Sequence, residues 1–444
     1  MTLKRFCLYL VFSLVSFSLG ACHNNQSISF SSNPETCTCV SIPESNTTDS
    51  DDGNLFSHYD FLKELEWEAT VKRFLPYTYG TPSTAKSADD AYKRCNLLLF
   101  SDNHIDFVNS EASLQNVTDT ISFANKAPFE ISAILNAGDA ITQVGNKDEI
   151  KNDFLTFAQN LETSRYPVAY SKGNHDLNDI GNIPSNVFDE NDWGEMIYNY
   201  AEKNWGMVRQ MRANGKKSTY GYIDILDFKI RIVIADSQDT DKVSADSNGY
   251  TKYHGSNSWY IANEQLNWLA NTALNFDDKV EKDWGVIILI HQDGNYSTSL
   301  EPEYESSINK LLKICKAFNN CGKYSNNYVF SDNSFFNINV SADYTKYANL
   351  DKKPHMICWF IGHRHQDKNE VVDGINLIWI LNGSATNEYG DARVLREVGT
   401  TTQNAFDLVS IDTKERKIRC VRYGAGVNCY GVGGDRFLPD GLSY

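Results

Sequence analysis

The chain has 444 residues, 41% of them hydrophobic and 12% aromatic, which supplies enough apolar surface for a large core and excludes disorder along most of its length. Its 41 Lys and Arg against 57 Asp and Glu give a formal net charge of -16. That balance works against nonspecific capture of polyanions, so no stable duplex nucleic-acid partner is expected.

The N-terminus places Lys4 and Arg5 ahead of an apolar run over 6–19 and then small residues, which predicts a secretory signal over residues 1–21. A bilayer span needs ~20 apolar residues, so the run is short for a permanent helix and suited to a cleaved one. Leu19-Gly20-Ala21-Cys22 resembles the lipobox of bacterial lipoproteins. That implies lipidation of Cys22 and an extracytoplasmic protein of the cell envelope, lipid-anchored to a bacterial membrane. An ordinary cleavage site with an incidental cysteine would give a secreted protein instead. Residues 22–57 are rich in Ser, Asn, Thr, Asp and Pro and read as a flexible tether. No later apolar run is long enough to span a membrane, so attachment depends on the lipid.

A folded domain is expected over 58–444, with no internal repeat and no second long linker. Apolar, β-rich runs recur at 97–100, 131–135, 228–235, 286–290, 356–361 and 375–381. Several lack polar alternation, as strands buried on both faces do. Between the first of them, Leu114, Val117, Ile121 and Ala124 share one helical face, and Ile150, Phe154, Phe157 and Leu161 share another. Strand, helix, strand in that order predicts an α/β fold with partly parallel strands, whose functional groups gather beyond the strands' carboxyl ends. Eight cysteines remain once Cys7 leaves with the signal and Cys22 is lipidated, an even number suited to an oxidising compartment. Cys315 with Cys321, and Cys420 with Cys429, are spaced to close small loops; Cys95 and Cys358 read as packed thiols, and Cys37 and Cys39 as tether residues.

Polar clusters follow five of the strands. Asp102 and His104 come after the first, two positions apart, so that a carboxylate and an imidazole can converge on one cation. Gly138-Asp139 follows the second, where the glycine permits a tight turn. Gly173-Asn174-His175-Asp176 offers an amide oxygen, an ionisable imidazole and a carboxylate. The run 286–290 leads straight into His291, and 356–361 leads into Gly362-His363-Arg364-His365, whose alternate histidines can face two neighbouring ions. Taken singly, each fragment is a common turn or core motif; five at five strand ends point to a metal centre. His23, His58, His254 and His355 match no block, and Arg364 reads either as an anion contact or as a solvated surface arginine.

The ordered set D-x-H, G-D, G-N-H-D, H and G-H-x-H resembles the calcineurin-like metallophosphoesterase superfamily over residues 97–383. The resemblance implies a four-layer α/β/β/α sandwich of two mixed sheets flanked by helices. It implies two divalent or trivalent metal ions (Mn, Zn or Fe), one held by Asp102, His104 and His365, the other by Asn174, His291 and His363, with Asp139 bridging. Two cations roughly 3.5–4 Å apart clamp a phosphoryl group, activate a hydroxide and stabilise charge in an in-line displacement. His175 would protonate the leaving oxygen, with Asp176 fixing its tautomer. The stretch Ile261 to Leu269 looks like a family helix whose role is packing.

Departures narrow the reading. Protein serine/threonine phosphatases of the superfamily carry G-D-x-x-D-R-G and G-N-H-E, whereas this chain has Gln143-Val144 after Gly138-Asp139 and ends its tetrad on Asp176. Purple acid phosphatases supply a metal-binding tyrosine shortly after the bridging aspartate, where Ile141 and Thr142 stand here. Secreted 5'-nucleotidases add a large domain after G-H-x-H, whereas about 80 residues follow His365 here, which disfavours that reading. The expectation is a phosphomonoesterase or phosphodiesterase whose substrate choice lies in insertions at 177–218 and 293–354. The alternative is a catalytically inactive surface lipoprotein that uses the fold for binding.

Overall fold

A computed structural model describes residues 55–81, 91–294, 306–330, 333–386, 394–426 and 434–444. The signal, Cys22 and most of the tether lie outside them. Of the two units into which the chain divides, Met1–Ile42 and Pro43–Tyr444, only the second contains described residues. Among the described residues, no helix is long and apolar enough to cross a membrane.

The chain enters through helix α1 (Leu55–Phe74), so the domain boundary expected at 58 falls inside a helix. Strand β1 (Cys95–Phe100), helix α2 (Ser110–Lys126), strand β2 (Ala133–Asn136), helix α3 (Lys147–Glu162) and strand β3 (Val168–Tyr170) follow as two successive strand–helix–strand units. The helical faces read from the sequence are the buried ones: Val117, Ile121 and Ala124 on α2, and Ile150, Phe154, Phe157 and Leu161 on α3. Asn146 starts α3 by accepting hydrogen bonds from the Asp148 and Glu149 amides.

Strands β4 (Val208–Met211), β5 (Lys217–Ile225) and β6 (Ile230–Ile234) form a meander, helix α4 spans Asn263–Trp268, and β7 (Gly285–Ile290) returns to the sheet. Helix α5 (Ser307–Asn319) and the hairpin β8 (Lys323–Tyr328) and β9 (Ile338–Asp343) precede β10 (His355–Ile361), β11 (Lys368–Val372) and β12 (Ile375–Trp379). Strands β13 (Ala405–Asp412), β14 (Lys417–Gly424) and β15 (Leu442–Ser443) close the chain.

Two large mixed sheets result. One has the order β15-β14-β13-β1-β2-β3, with β1, β2 and β3 parallel and β13 antiparallel to β1. The other has the order β11-β12-β10-β7-β6-β5-β4, parallel from β12 to β6 and antiparallel at both edges. The expected α/β/β/α sandwich is the architecture observed.

Period-two alternation divides the second sheet's side chains between two cores. Ile230, Ile232, Ile234, Ile287, Leu289 and Phe360 join the core shared with the first sheet and helices α1–α3. Val233, Val286, Ile288, Ile290, Trp359 and Ile361 join a second core with α4, α5 and the β8–β9 hairpin. Strands committed on both faces show no polar alternation, which is why these runs were legible.

Both expected insertions contribute to the cores. Phe188, Trp193, Met196, Ile197 and Tyr198, from the stretch 177–218, are buried in the first core. Ile308, Leu311, Ile314 and Phe318 of α5, from 293–354, are buried in the second. Cys95, Cys315, Cys321, Cys358 and Cys420 are buried free thiols, so the small loop between Cys315 and Cys321 is not closed by a disulfide. Cys429 lies outside the described residues.

One polar cluster stitches the sheets together. Asp407 on β13 accepts from Arg422 Nε at 2.8 Å and from Arg436 Nη2 at 2.6 Å, while Arg422 Nη2 reaches Asp367 at 2.8 Å and Arg436 Nη1 donates to the Trp379 carbonyl at 2.8 Å. Asp367, Asp407 and Arg422 are all 2% exposed or less at the side chain, too buried for water to compete.

Candidate metal centre

The five clusters leave strand ends in both sheets and meet at the seam. Backbone hydrogen bonds run the loops after β1 and β2 side by side: Asp102 N–H to the Gly138 carbonyl (2.8 Å), His104 to Asp139 (3.2 Å) and Ile105 to Ala140 (2.9 Å). Five residues of the set occupy the left-handed region, Asp102 at φ 53, His104 at 46, Asp139 at 54, His363 at 68 and His365 at 52. For residues with a Cβ this costs on the order of 1–3 kcal/mol each, and such strain concentrates at functional sites. Gly173 is required for a different reason: a Cβ there would lie 2.1 Å from Asp139 Oδ1.

Donor atoms of Asp102, His104, Asp139 and His365 lie within 4.8 Å of one another, and so do those of Asp139, His291 and His363. Asp139 belongs to both groups. His365 Nε2 is 3.2 Å from Asp102 Oδ1 and 3.3 Å from His104 Nε2; His291 Nε2 is 3.1 Å from Asp139 Oδ2 and 3.1 Å from Asn174 Oδ1. Asp102, His104, Asp139, His291, His363 and His365 are thereby brought together, with Asn174 beside His291.

The surroundings aim these donors. His363 N–H donates to both oxygens of Asp102 (3.0 and 3.2 Å), and His175 N–H to Asp139 Oδ1 (2.9 Å). His291 Nδ1 is 2.6 Å from the Ala137 carbonyl, which can only accept, so Nδ1 carries a proton and Nε2 is the atom turned to the centre. His104 Nδ1 meets Thr142 Oγ1 at 2.6 Å, with Nε2 on the side of the centre, 3.3 Å from His365 Nε2. The rim adds Trp259, whose ring stands edge-on to His363 with centroids 4.8 Å apart and whose indole N–H is fixed by the Gly255 carbonyl at 2.7 Å.

Electrostatics express the same convergence. Burial raises the Asp102 and Asp139 carboxyls, yet the neighbouring imidazoles outweigh it: His365 and His291 hold Asp102 below the usual range, and His291, His175 and His104 hold Asp139 well below it. Burial drives His104 and His363 down to about 3, which keeps both neutral and able to coordinate. His291 is held up at about 9 against its burial by Asp139 and Asp102. Two buried carboxylates facing four imidazole nitrogens form a donor set chemically suited to first-row or zinc-like cations.

Asp176 does not do what the pattern implied. Its Oδ2 accepts from Gly173 N–H (2.7 Å), Asp139 N–H (3.0 Å) and the Tyr170 hydroxyl (2.6 Å), and its Oδ1 from Ala140 and Ile141 N–H (2.8 and 3.3 Å). With both oxygens committed, it pins the Asp139 loop to the Gly173 turn instead of fixing the tautomer of His175. The His175 ring packs edge-on against His104 at 5.4 Å, and its Nδ1 is buried with no hydrogen-bond partner among the described residues. The sequence reading also passed over Gln292, Thr142 and Asp106, the last of which accepts from the Thr142 and Gln143 amides at 2.6 and 2.8 Å. Their only sequence signal is a place within three residues of the candidate donors His104, Asp139 and His291.

No family model and no curated protein matches the chain. Among solved structures it is similar to TT1561 of Thermus thermophilus, with a TM-score of 0.34 and 11% identity over 74% of this chain and 98% of that one. It is also similar to the phosphopantetheinyl hydrolase of Mycobacterium tuberculosis, with a TM-score of 0.30 and 13% identity over 65% and 90%. A third is GAP50, the anchor in the inner membrane complex of Plasmodium, with a TM-score of 0.37 and 10% identity over 77% and 88%. Identities and TM-scores this low leave the chemistry to be argued from the side chains.

Proposed function

We propose that this chain is a metallophosphoesterase of the calcineurin-like type, which hydrolyses phosphate monoesters or diesters with two metal ions. The observation that carries this reading is the pair of donor groups sharing Asp139. Asp102, His104 and His365 would hold one ion, Asn174, His291 and His363 the other, and Asp139 both. When bound, such ions supply Lewis acidity and a nucleophile at neutral pH. The chain's own contribution is to fix the donors: buried carboxylates held by backbone amides, and the His104 and His291 rings, whose Nδ1 atoms are tied so that Nε2 faces inward.

His175 adjoins the centre and is assigned the proton for the leaving oxygen. Full-length protein supplied with Mn²⁺ or Zn²⁺ is expected to hydrolyse bis-p-nitrophenyl phosphate or p-nitrophenyl phosphate. His175→Ala is expected to lower kcat by about 10²–10⁴-fold while the bound-metal content stays unchanged. Tight metal uptake with no turnover of either ester would favour the catalytically inactive binding protein.

The location proposed is extracytoplasmic, supported by the signal-like run before Cys22 and by the lipobox resemblance. Cell fractionation tests this: the protein should pellet with membranes, and Cys22→Ser should move it to the soluble fraction. An unchanged distribution removes the lipid anchor.

A further inference from the structure

Gln292 sits behind the metal centre, fully buried beside His291. Its Nε2 donates to Asn174 Oδ1 at 3.1 Å. Its Oε1 accepts from Ser237 Oγ at 2.8 Å and from Gln238 Nε2 at 2.6 Å. Ser237 Oγ in turn accepts the Gln292 backbone N–H at 3.4 Å, which sends the hydroxyl proton toward Oε1. Ser237 and Gln238 are also fully buried, so water cannot substitute for any member of this chain.

The segment carrying Ser237 and Gln238 is clamped from the other side by Gln265 of α4. Gln265 Oε1 accepts the Asp236 N–H at 2.8 Å, and its Nε2 donates to the Asp236 carbonyl at 3.0 Å and to Asp239 Oδ2 at 3.2 Å. Gln265 is fully buried as well. It belongs to the stretch Ile261 to Leu269, to which only packing had been ascribed.

A primary amide has one accepting and one donating end, so its orientation is information that can be passed on. Two donors at Gln292 Oε1 leave only Nε2 to face Asn174. Asn174 must answer with Oδ1, since turning its amide over would set N–H against N–H. The same oxygen lies 3.1 Å from His291 Nε2, on the side where the second donor group converges.

We propose that Gln292, oriented by Ser237 and Gln238 on a segment held by Gln265, is a positioning residue that selects the oxygen end of Asn174 for the second ion. This rests on the metal-centre reading. It predicts a specific coupling: the relay matters only because Asn174 has two unlike ends.

The test is Mn²⁺ titration calorimetry on the chelator-stripped full-length protein, comparing Gln292→Leu in the native background and in an Asn174→Asp background. A carboxylate presents oxygen whichever way it turns and needs no orienting. In the native background Gln292→Leu is expected to weaken the second ion about tenfold or more and to spare the first. With Asn174→Asp present, the same change is expected to cost less than about threefold. Equal losses in both backgrounds, equal losses at both ions, or no loss at all would overturn the proposal. Should Gln292→Leu fail to fold, Ser237→Ala removes one of the two orienting donors, and a smaller loss confined to the second ion and absent with Asn174→Asp is expected. A wild-type chain that takes up fewer than two ions would sink the metal-centre reading itself.

Discussion

Asp139→Ala is expected to cut turnover of bis-p-nitrophenyl phosphate by about 10³-fold and to reduce bound metal from two ions to at most one. Among the described residues, Asp139 is the member common to both donor groups, so its loss would strike both of the proposed ions, whereas loss of any other member would strike one. The second consequence is geometric. Asp139 Oδ1 also receives the His175 N–H, so truncation leaves a buried donor unanswered and frees the turn that carries Asn174. Elemental analysis of the purified variant alongside steady-state kinetics checks both effects. Retention of two ions at wild-type turnover would remove Asp139 from the centre.

Asp407→Asn is expected to lower the unfolding free energy at pH 7 by about 3 kcal/mol, because it removes one of the two carboxylates that the buried Arg422 and Arg436 share and leaves only Asp367 against two guanidiniums. Burial raises the Asp407 carboxyl, but the two guanidiniums outweigh it and hold it below its ordinary value. A group depressed in the folded state contributes stability that is present above its unfolded pKa of about 3.9 and is lost as pH falls through the folded value. The gap between wild type and Asp407→Asn should therefore narrow in acid, once the native carboxyl is itself protonated. Urea titrations from pH 7 downward would show this; a gap independent of pH would mean that the pair stabilises through shape alone.

The residues gathered at the centre were legible because each lies within four residues of the end of an apolar run, and a strand buried on both faces cannot hide where it ends. The helices α2 and α3 were legible from spacing. Much of what escaped notice consists of polar residues spent inside the molecule. Strands β13 and β14 carry Asp407, Arg419 and Arg422 at buried positions, so their sequences look like half-solvated segments. Strands β8 and β9 escaped for another reason: Asn327 and Asn339 face solvent, and only the alternate residues of the hairpin, such as Ile338 and Val340, reach the second core. Asp176 stands beside His175 in sequence, whereas its actual partners are amides brought from Asp139, Ala140 and Ile141. Sequence order carries no trace of which backbone N–H groups a carboxylate will meet.

The left-handed backbone at Asp102, His104, Asp139, His363 and His365 bears on anyone who would transplant this centre to another scaffold. Copying the side chains onto ordinary strand ends would set their Cβ vectors in the wrong directions, and no rotamer search would recover the convergence. The transferable unit is the looped backbone with its cross-loop hydrogen bonds and its glycine at 173. A recipient able to host it must present two sheets whose strand ends already face each other across a seam.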